Sequence, residues 1–231
     1  MFGPMYFDYY YLVLVVPTII LSLIAQIMVK STFAKYSKIQ CSRRITGQDS
    51  AALLLKSNSI LDVKIEAVSG SLTDHYDPSS KVVRLSRPVY SENSIAAVGV
   101  AAHETGHAIQ HALSWGPLAL RSTLVPVANI GSMIGPYLAM AGIFLSMPML
   151  LTIGIWLFGG AVLFYVITLP VEFNASARAI AILRENNVLT ADELKGVKKV
   201  LTAAAMTYVA SALTALMSLF RLILLSRNRR H

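Results

Sequence analysis

Cysteine is nearly missing from this chain of 231 residues. Cys41 stands alone, so no disulfide forms within the chain and no cysteine-based zinc site can be built. Charge is also scarce. Charged residues make up 14% and hydrophobic ones 55%, whereas an ordinary soluble domain carries about a quarter charged residues. Acidic residues number 12 against 20 Lys and Arg, which leaves a net charge of +8. Any metal must therefore be held by His, Asp or Glu. There is no Lys or Arg before Lys30 and Asp8 sits near the start, so the basic n-region of a cleaved signal peptide is lacking. Internal repeats and low-complexity segments are absent as well. The basic residues Lys30, Lys35, Lys38, Arg43 and Arg44, and later Arg227, Arg229 and Arg230, lie beside apolar runs. Charges flanking membrane spans have that pattern, and it argues against a nucleic-acid partner.

The apolar runs are long. Tyr10 to Val29 carries no charge and is about the length needed to cross hydrocarbon, so residues 1–29 read as a retained anchor with Pro17 as a tolerated kink. Residues 30–115 have ordinary composition. Thr46 and Asp49 form a capping-box start, LDVKIEAVSG alternates like a strand, DHYDPSS is a turn cluster and KVVRLS is a second strand. The stretch SIAAVGVAAHETGHAIQHAL then predicts a buried helix. Residues 116–169 hold two further hydrophobic segments, broken by Arg121, Pro126 and Pro136 and bounded by Pro148 and Pro170. Residues 170–200 predict a charged helix, with Thr190 and Glu193 as another capping box. Residues 201–231 give a last apolar run, interrupted by Arg221, and a basic tail.

His103, Glu104 and His107 form an HExxH pattern on the predicted helix. Residues four apart lie one above the other on one helix face, so the two imidazoles can converge on one zinc. Glu104 is then placed to take a proton from water at the metal and pass it to a leaving amine. The bland reading is a pair of histidines packed in a polar core. The flanks VGVAA and AIQHAL are apolar, and burying two His and a Glu there is costly unless they are paired or bound to metal.

A catalytic zinc site needs a third protein ligand and an open position. His111 lies one turn past His107, but on a straight helix it is about 12 Å along the axis from His103. AIQ offers no break that would bring it back, so His111 reads as structural or as a hydrogen-bond partner. Among the remaining glutamates, Glu172 stands in VEFNASARA, where small residues at Ala175, Ser176 and Ala179 would permit close helix packing. Spacing alone leaves Glu172 open between third ligand and an interfacial carboxylate at a helix N-terminus.

The stretch GSLTDHYDPSSKVVRLSRPVYSENSIAAVGVAAHETGHAIQHA, with TGQDSAALLL and LPVEFNASARAIAIL, resembles the YugP-like bacterial membrane zinc metallopeptidases. More distantly the chain is similar to the gluzincins, including the HtpX-like membrane proteases. In those, HExxH is joined by a Glu that begins an E-x-x-A-D motif on a later helix. The resemblance implies one zinc per chain, held by His103, His107 and Glu172, with Glu104 as the base. Ala175 matches the motif's alanine. Ser176 stands where the motif has aspartate, so a hydroxyl would support the ligand histidine. The resemblance also gives Val82, Val83, Arg84 and Leu85 the role of an edge strand that pairs with extended substrate. His75, Tyr76 and Arg178 are candidates to stabilise an oxyanion.

The implied fold is mainly α: a polytopic membrane helix bundle with a small α+β gluzincin-like metallopeptidase domain inserted after the first transmembrane helix. The implied activity is hydrolysis of peptide bonds in membrane or membrane-proximal proteins, with membrane lipid as surroundings and an adaptor or a second copy as further partners. The competing readings are a catalytically inactive zinc-binding adaptor and a small transporter or channel. The resemblance implies a bacterial cell membrane, and the distribution of Lys and Arg favours an active site facing the cytoplasm. The basic C-terminus pulls the other way if all four runs cross.

Overall fold

A computed structural model of the protein describes residues 8–228; residues 1–7 and the end of the basic tail, 229–231, lie outside the described residues. A π-helical stretch, Tyr11–Val15, leads into α1 (Val16–Tyr36). Then follow α2 (Gly47–Ser57), β1 (Lys64–Val68), β2 (His75–Asp77), β3 (Val82–Ser86), α3 (Arg87–Ser91), α4 (Ile95–Ala112), α5 (Gly116–Phe144), α6 (Pro148–Glu185) and α7 (Ala191–Asn228). Among the described residues, four helices are long and apolar enough to cross a membrane: Tyr11–Tyr36, Gly116–Phe144, Pro148–Glu185 and Ala191–Arg227.

The chain divides into two compact units. The first comprises Met1–Gln26, Leu120–Leu169 and Met206–His231. Its core is built from Ala139, Phe158, Ala161, Val162, Ala215 and Leu222. Large apolar side chains such as Leu23, Ile24, Met133 and Trp156 are exposed, as expected where lipid rather than water is the neighbour. Polar side chains of this unit also pair with one another. The Ser22 and Thr214 hydroxyls meet at 3.3 Å. Arg221 donates from Nε to Asp8 at 2.9 Å and stacks on the Tyr11 ring.

The second unit comprises Ile27–Ala119 and Pro170–Ala205. Its helix α4 is apolar nearly all round and is covered on two sides, as such a helix must be. Ile95, Val98 and Ala102 pack with Leu54, Ala179, Leu183, Val197 and Leu201. Ala101, Ala108 and Ile109 pack against Val83, Leu85 and Val89 on the sheet side. Two capping boxes begin helices as the sequence predicts. Thr46 and Asp49 exchange bonds at the start of α2, and Thr190 and Glu193 do so at the start of α7. Ser94 caps α4 by accepting from the Ala97 N–H.

Three expectations change. The strand Val82, Val83, Arg84, Leu85 is not an edge. The sheet order is β1-β3-β2, with β3 parallel to β1 and antiparallel to β2. Val82, Val83 and Arg84 are paired on both sides, so they have no free backbone ladder to offer a substrate. The burial of Val82, Val83, Leu85 and Ser86 is that of a central strand. Second, the cluster read as a turn contains β2, and its turn begins at Asp77, which accepts from the Ser79 and Ser80 N–H groups. Third, Pro170 does not end a helix: α6 runs through it to Glu185. Proline removes one helical donor, a loss that long apolar helices tolerate. Beyond it, Val171, Glu172, Ala175 and Ala179 are buried, and that packing holds α6 in register.

Glu193 ties α7 to the segment after α1, since one carboxylate accepts from Ser42 N, Ser42 Oγ and Thr190 N. Glu193→Ala leaves these donors without their acceptor. We expect a loss of about 2–3 kcal/mol, visible as a lower midpoint of thermal unfolding in detergent. An unchanged midpoint would mean that this clip contributes nothing.

Candidate metal centre

The HExxH pattern lies in the middle of α4, where one helical turn separates His103 from His107. Their rings sit 4.8 Å apart, centroid to centroid, at 83°. Glu172 comes from α6, and its carboxylate is buried at 2% exposure. Oε2 of Glu172 lies 3.2 Å from His103 Nε2 and 3.5 Å from His107 Nε2. One ligand atom from each of the three residues falls within a 4.8 Å cluster.

Small residues make this meeting possible. A β-carbon added at Gly106 would lie 2.7 Å from the Ala175 carbonyl oxygen, so α4 and α6 touch backbone to backbone there. Ala175 and Ala179 are fully buried on the facing side. Glu172 and Ser176, four apart on α6, then reach the same imidazole from one face.

Hydrogen bonds decide which nitrogen of each ring is available. Arg178 can only donate, and its Nε points to Asn174 Oδ1 at 2.7 Å. The same oxygen accepts from Gln110 Nε2 at 3.0 Å, and that amide also donates to the Val171 carbonyl at 2.9 Å. Gln110 must therefore turn Oε1 toward His107 Nδ1, 3.0 Å away. An amide oxygen only accepts, so His107 carries its proton on Nδ1 and keeps a lone pair on Nε2. Ser176 Oγ lies 3.1 Å from His103 Nδ1 and can fix that ring the same way. Both Nε2 atoms face Glu172.

Electrostatics reinforce the arrangement. Burial opposes charge on His107, but the Glu172 carboxylate outweighs it and the net direction of its pKa is upward. Positive charge is thus drawn into the cluster, whether as a proton or as a metal cation. The donor set suits zinc: two imidazoles and one carboxylate, with no thiolate. Tetrahedral ligands at about 2.0–2.1 Å from zinc stand roughly 3.3 Å apart, and the two His–Glu separations bracket that distance.

The other predicted residues sort themselves by contact. Glu104 is half-buried and has no hydrogen-bond partner within the protein among the described residues. His111 is outside the cluster, and its Nδ1 meets the Tyr76 hydroxyl at 2.7 Å. Burial, with the charges of Asp62 and Asp77, pushes the Tyr76 pKa up to about 12, so Tyr76 keeps its proton. His75 is exposed and meets the Thr73 carbonyl, while Arg178 is engaged with Asn174. Gln110 and Asn174 were missed in the sequence. The available signal was a polar residue one turn beyond His107 in an apolar helix, and an asparagine one turn before Arg178.

A family model described as "Putative neutral zinc metallopeptidase" matches residues 11–227. The chain belongs to that family. This zinc metallopeptidase family membership is matched by a relative in Bacillus subtilis (strain 168) named "Putative membrane protease YugP", 50% identical over 210 residues, or 91% of this chain and 93% of the relative. No solved structure matches the chain. Family membership points to zinc as the metal for the His/Glu cluster. With the relative's name and the four long apolar helices, the chain is a membrane protein.

Because α4 and α6 touch at Gly106, Gly106→Ala must force them apart. The clash is with backbone, which cannot rotate away, so a cost of about 1–3 kcal/mol is expected. Thermal unfolding in detergent measures it. A variant as stable as the parent would contradict the close approach.

Proposed function

We propose that this chain is a membrane-embedded zinc endopeptidase that hydrolyses peptide bonds of membrane or membrane-proximal proteins. His103, His107 and Glu172 hold one zinc ion, and Glu104 is the general base. The observation that carries this reading is the convergence of two imidazoles and one buried carboxylate, with His107 Nε2 left free by the Nδ1 hydrogen bond to Gln110. Family membership supports the metal and the reaction class, and the relative's name supports a protease at a membrane.

Zinc bound there supplies a Lewis acid that polarises the scissile carbonyl and lowers the pKa of water toward about 7. Glu104 follows His103 directly, so its carboxylate emerges beside the cluster without joining it. Its lack of an internal partner leaves it able to accept a proton from the attacking water. It then returns that proton to the departing amine nitrogen as the C–N bond breaks. Ser176 and Gln110 hold the imidazoles in place throughout. Three protein donors leave a coordination position for water or substrate, the arrangement of catalytic rather than structural zinc sites.

The sheet is edged by β1 and β2, and of these β2 (His75–Asp77) is tied to α4 through Tyr76 and His111. An extended substrate segment pairs along this edge, with backbone hydrogen bonds giving affinity largely regardless of side chain. The gluzincin-like α+β arrangement inserted after the first span is part of the same reading. Lys30, Lys35, Lys38, Arg178, Arg184, Lys195, Lys198 and Lys199 flank the spans on the side of the catalytic residues. By the positive-inside rule that side is the cytoplasm of a bacterial cell.

The test is Glu104→Gln. This variant should keep its zinc and lose peptide hydrolysis by a factor of about 10²–10⁴ or more, measured on an unfolded or membrane-anchored protein substrate. Wild-type activity in the variant would rule out Glu104 as the base. A wild type that binds zinc yet cleaves nothing that Glu104→Gln spares would favour the inactive adaptor.

A further inference from the structure

Between the last turns of α1 and the first turns of α7 lies a groove of about 610 Å³. Four lysines rim it: Lys35 from α1, and Lys195, Lys198 and Lys199 from α7. All four are exposed. Only Lys195 has a carboxylate partner among the described residues, Asp192 at 2.7 Å. Four ammonium groups against one carboxylate leave three positive charges on the rim. The nearby Glu193 is buried and accepts from Ser42 and Thr190, so it lowers the local charge without pairing with a rim lysine. Lysines three and four apart on one helix repel one another weakly, and an anion seated among them relieves that repulsion.

Away from the lysines the lining changes character. Thr32 and Thr202 come next, then Met28 and Ala203. On each helix these residues follow one face, at spacings of three or four. From Lys195 to Ala203 the groove runs about 12 Å along α7. Beyond Met28 toward the N-terminus and beyond Ala203 toward the C-terminus, the sequence of each helix runs on without charge, in α7 as far as Arg221. At the charged end Gly196 lets α7 rest on the Tyr36 ring, since a β-carbon there would lie 2.8 Å from Tyr36 Cε1. Lys35 is held over the same ring, 5.7 Å from its centroid.

We propose that this groove binds one anionic phospholipid. The phosphate rests among Lys35, Lys198 and Lys199, the glycerol ester region lies at Thr32 and Thr202, and an acyl chain follows Met28 and Ala203. A cationic end, a hydroxyl-bearing middle and an apolar end, in that order along about 12 Å, match the sequence of groups in a phospholipid. A soluble anion would use only the first of these, and a zwitterionic lipid would bring its own cation to the lysines. The proposal rests on the chain being a membrane protein and is independent of the proteolytic reading.

The test is native mass spectrometry of the full chain in detergent, titrated with phosphatidylglycerol, phosphatidylcholine or glycerol 3-phosphate. We expect a single phosphatidylglycerol to be retained about tenfold or more in preference to phosphatidylcholine. Glycerol 3-phosphate should not compete at the same concentration. The triple variant Lys35→Gln, Lys198→Gln, Lys199→Gln should lose this retention by about tenfold or more, and the corresponding triple change to Arg should keep it. The control Lys30→Gln, Lys38→Gln, Lys56→Gln, with an equal change of charge, should bind as the parent does. Equal retention of both lipids, displacement by glycerol 3-phosphate, or equal losses in the two glutamine triples would each overturn the proposal.

Discussion

At Gly106 the backbone of α4 comes so near the Ala175 carbonyl of α6 that no β-carbon fits between them. Every other feature of the candidate centre follows from that approach. It brings Glu172 to within 3.2 and 3.5 Å of two imidazole nitrogens. It lets Ser176 reach His103 and Gln110 reach the Val171 carbonyl. Buried imidazoles and a buried carboxylate are costly alone. Here the packing of two helices already holds the imidazoles against the carboxylate, so little ordering is left when a cation enters between them. Such preorganisation favours binding.

The hydrogen-bond chain from Arg178 to His107 shows how a half-buried charge specifies a buried lone pair. Each member has one permitted role once the previous one is fixed: Arg178 donates, Asn174 accepts, Gln110 donates at one end and accepts at the other, and His107 donates from Nδ1. Reversing any link would leave two acceptors or two donors facing each other, which is costly in a buried site. Distance from the metal is therefore no measure of a residue's part in the centre, since Asn174 touches no ligand yet determines the orientation of one that supports His107.

Much of this was legible in the sequence, and for identifiable reasons. His103, Glu104 and His107 are local in the chain, and a helix converts their spacing into a shared face. The capping residues Thr46, Asp49, Thr190 and Glu193 act on their own helices, so local pattern suffices. The small residues around Glu172 signalled close packing, and the structure brings Ala175 against α4. Strand order was not legible, because the insertion of β3 between β1 and β2 is a tertiary choice that no local pattern records. The continuity of α6 through Pro170 was hidden for a similar reason: buried contacts of the following turns override a local helix-breaking signal. Gln110 and Asn174 escaped notice because a single amide in an apolar helix has no periodic signature. Their role exists only once α4 and α6 are together.

The central claim is that His103, His107 and Glu172 form one zinc site. The most direct measurement is zinc per chain by elemental analysis of detergent-purified wild type and Glu172→Ala. The account predicts about one zinc in the wild type and a marked loss in the variant, since removing one of three ligands weakens the site severely. Full zinc in Glu172→Ala would show that the third ligand lies elsewhere, and no zinc in carefully prepared wild type would contradict the metal centre itself.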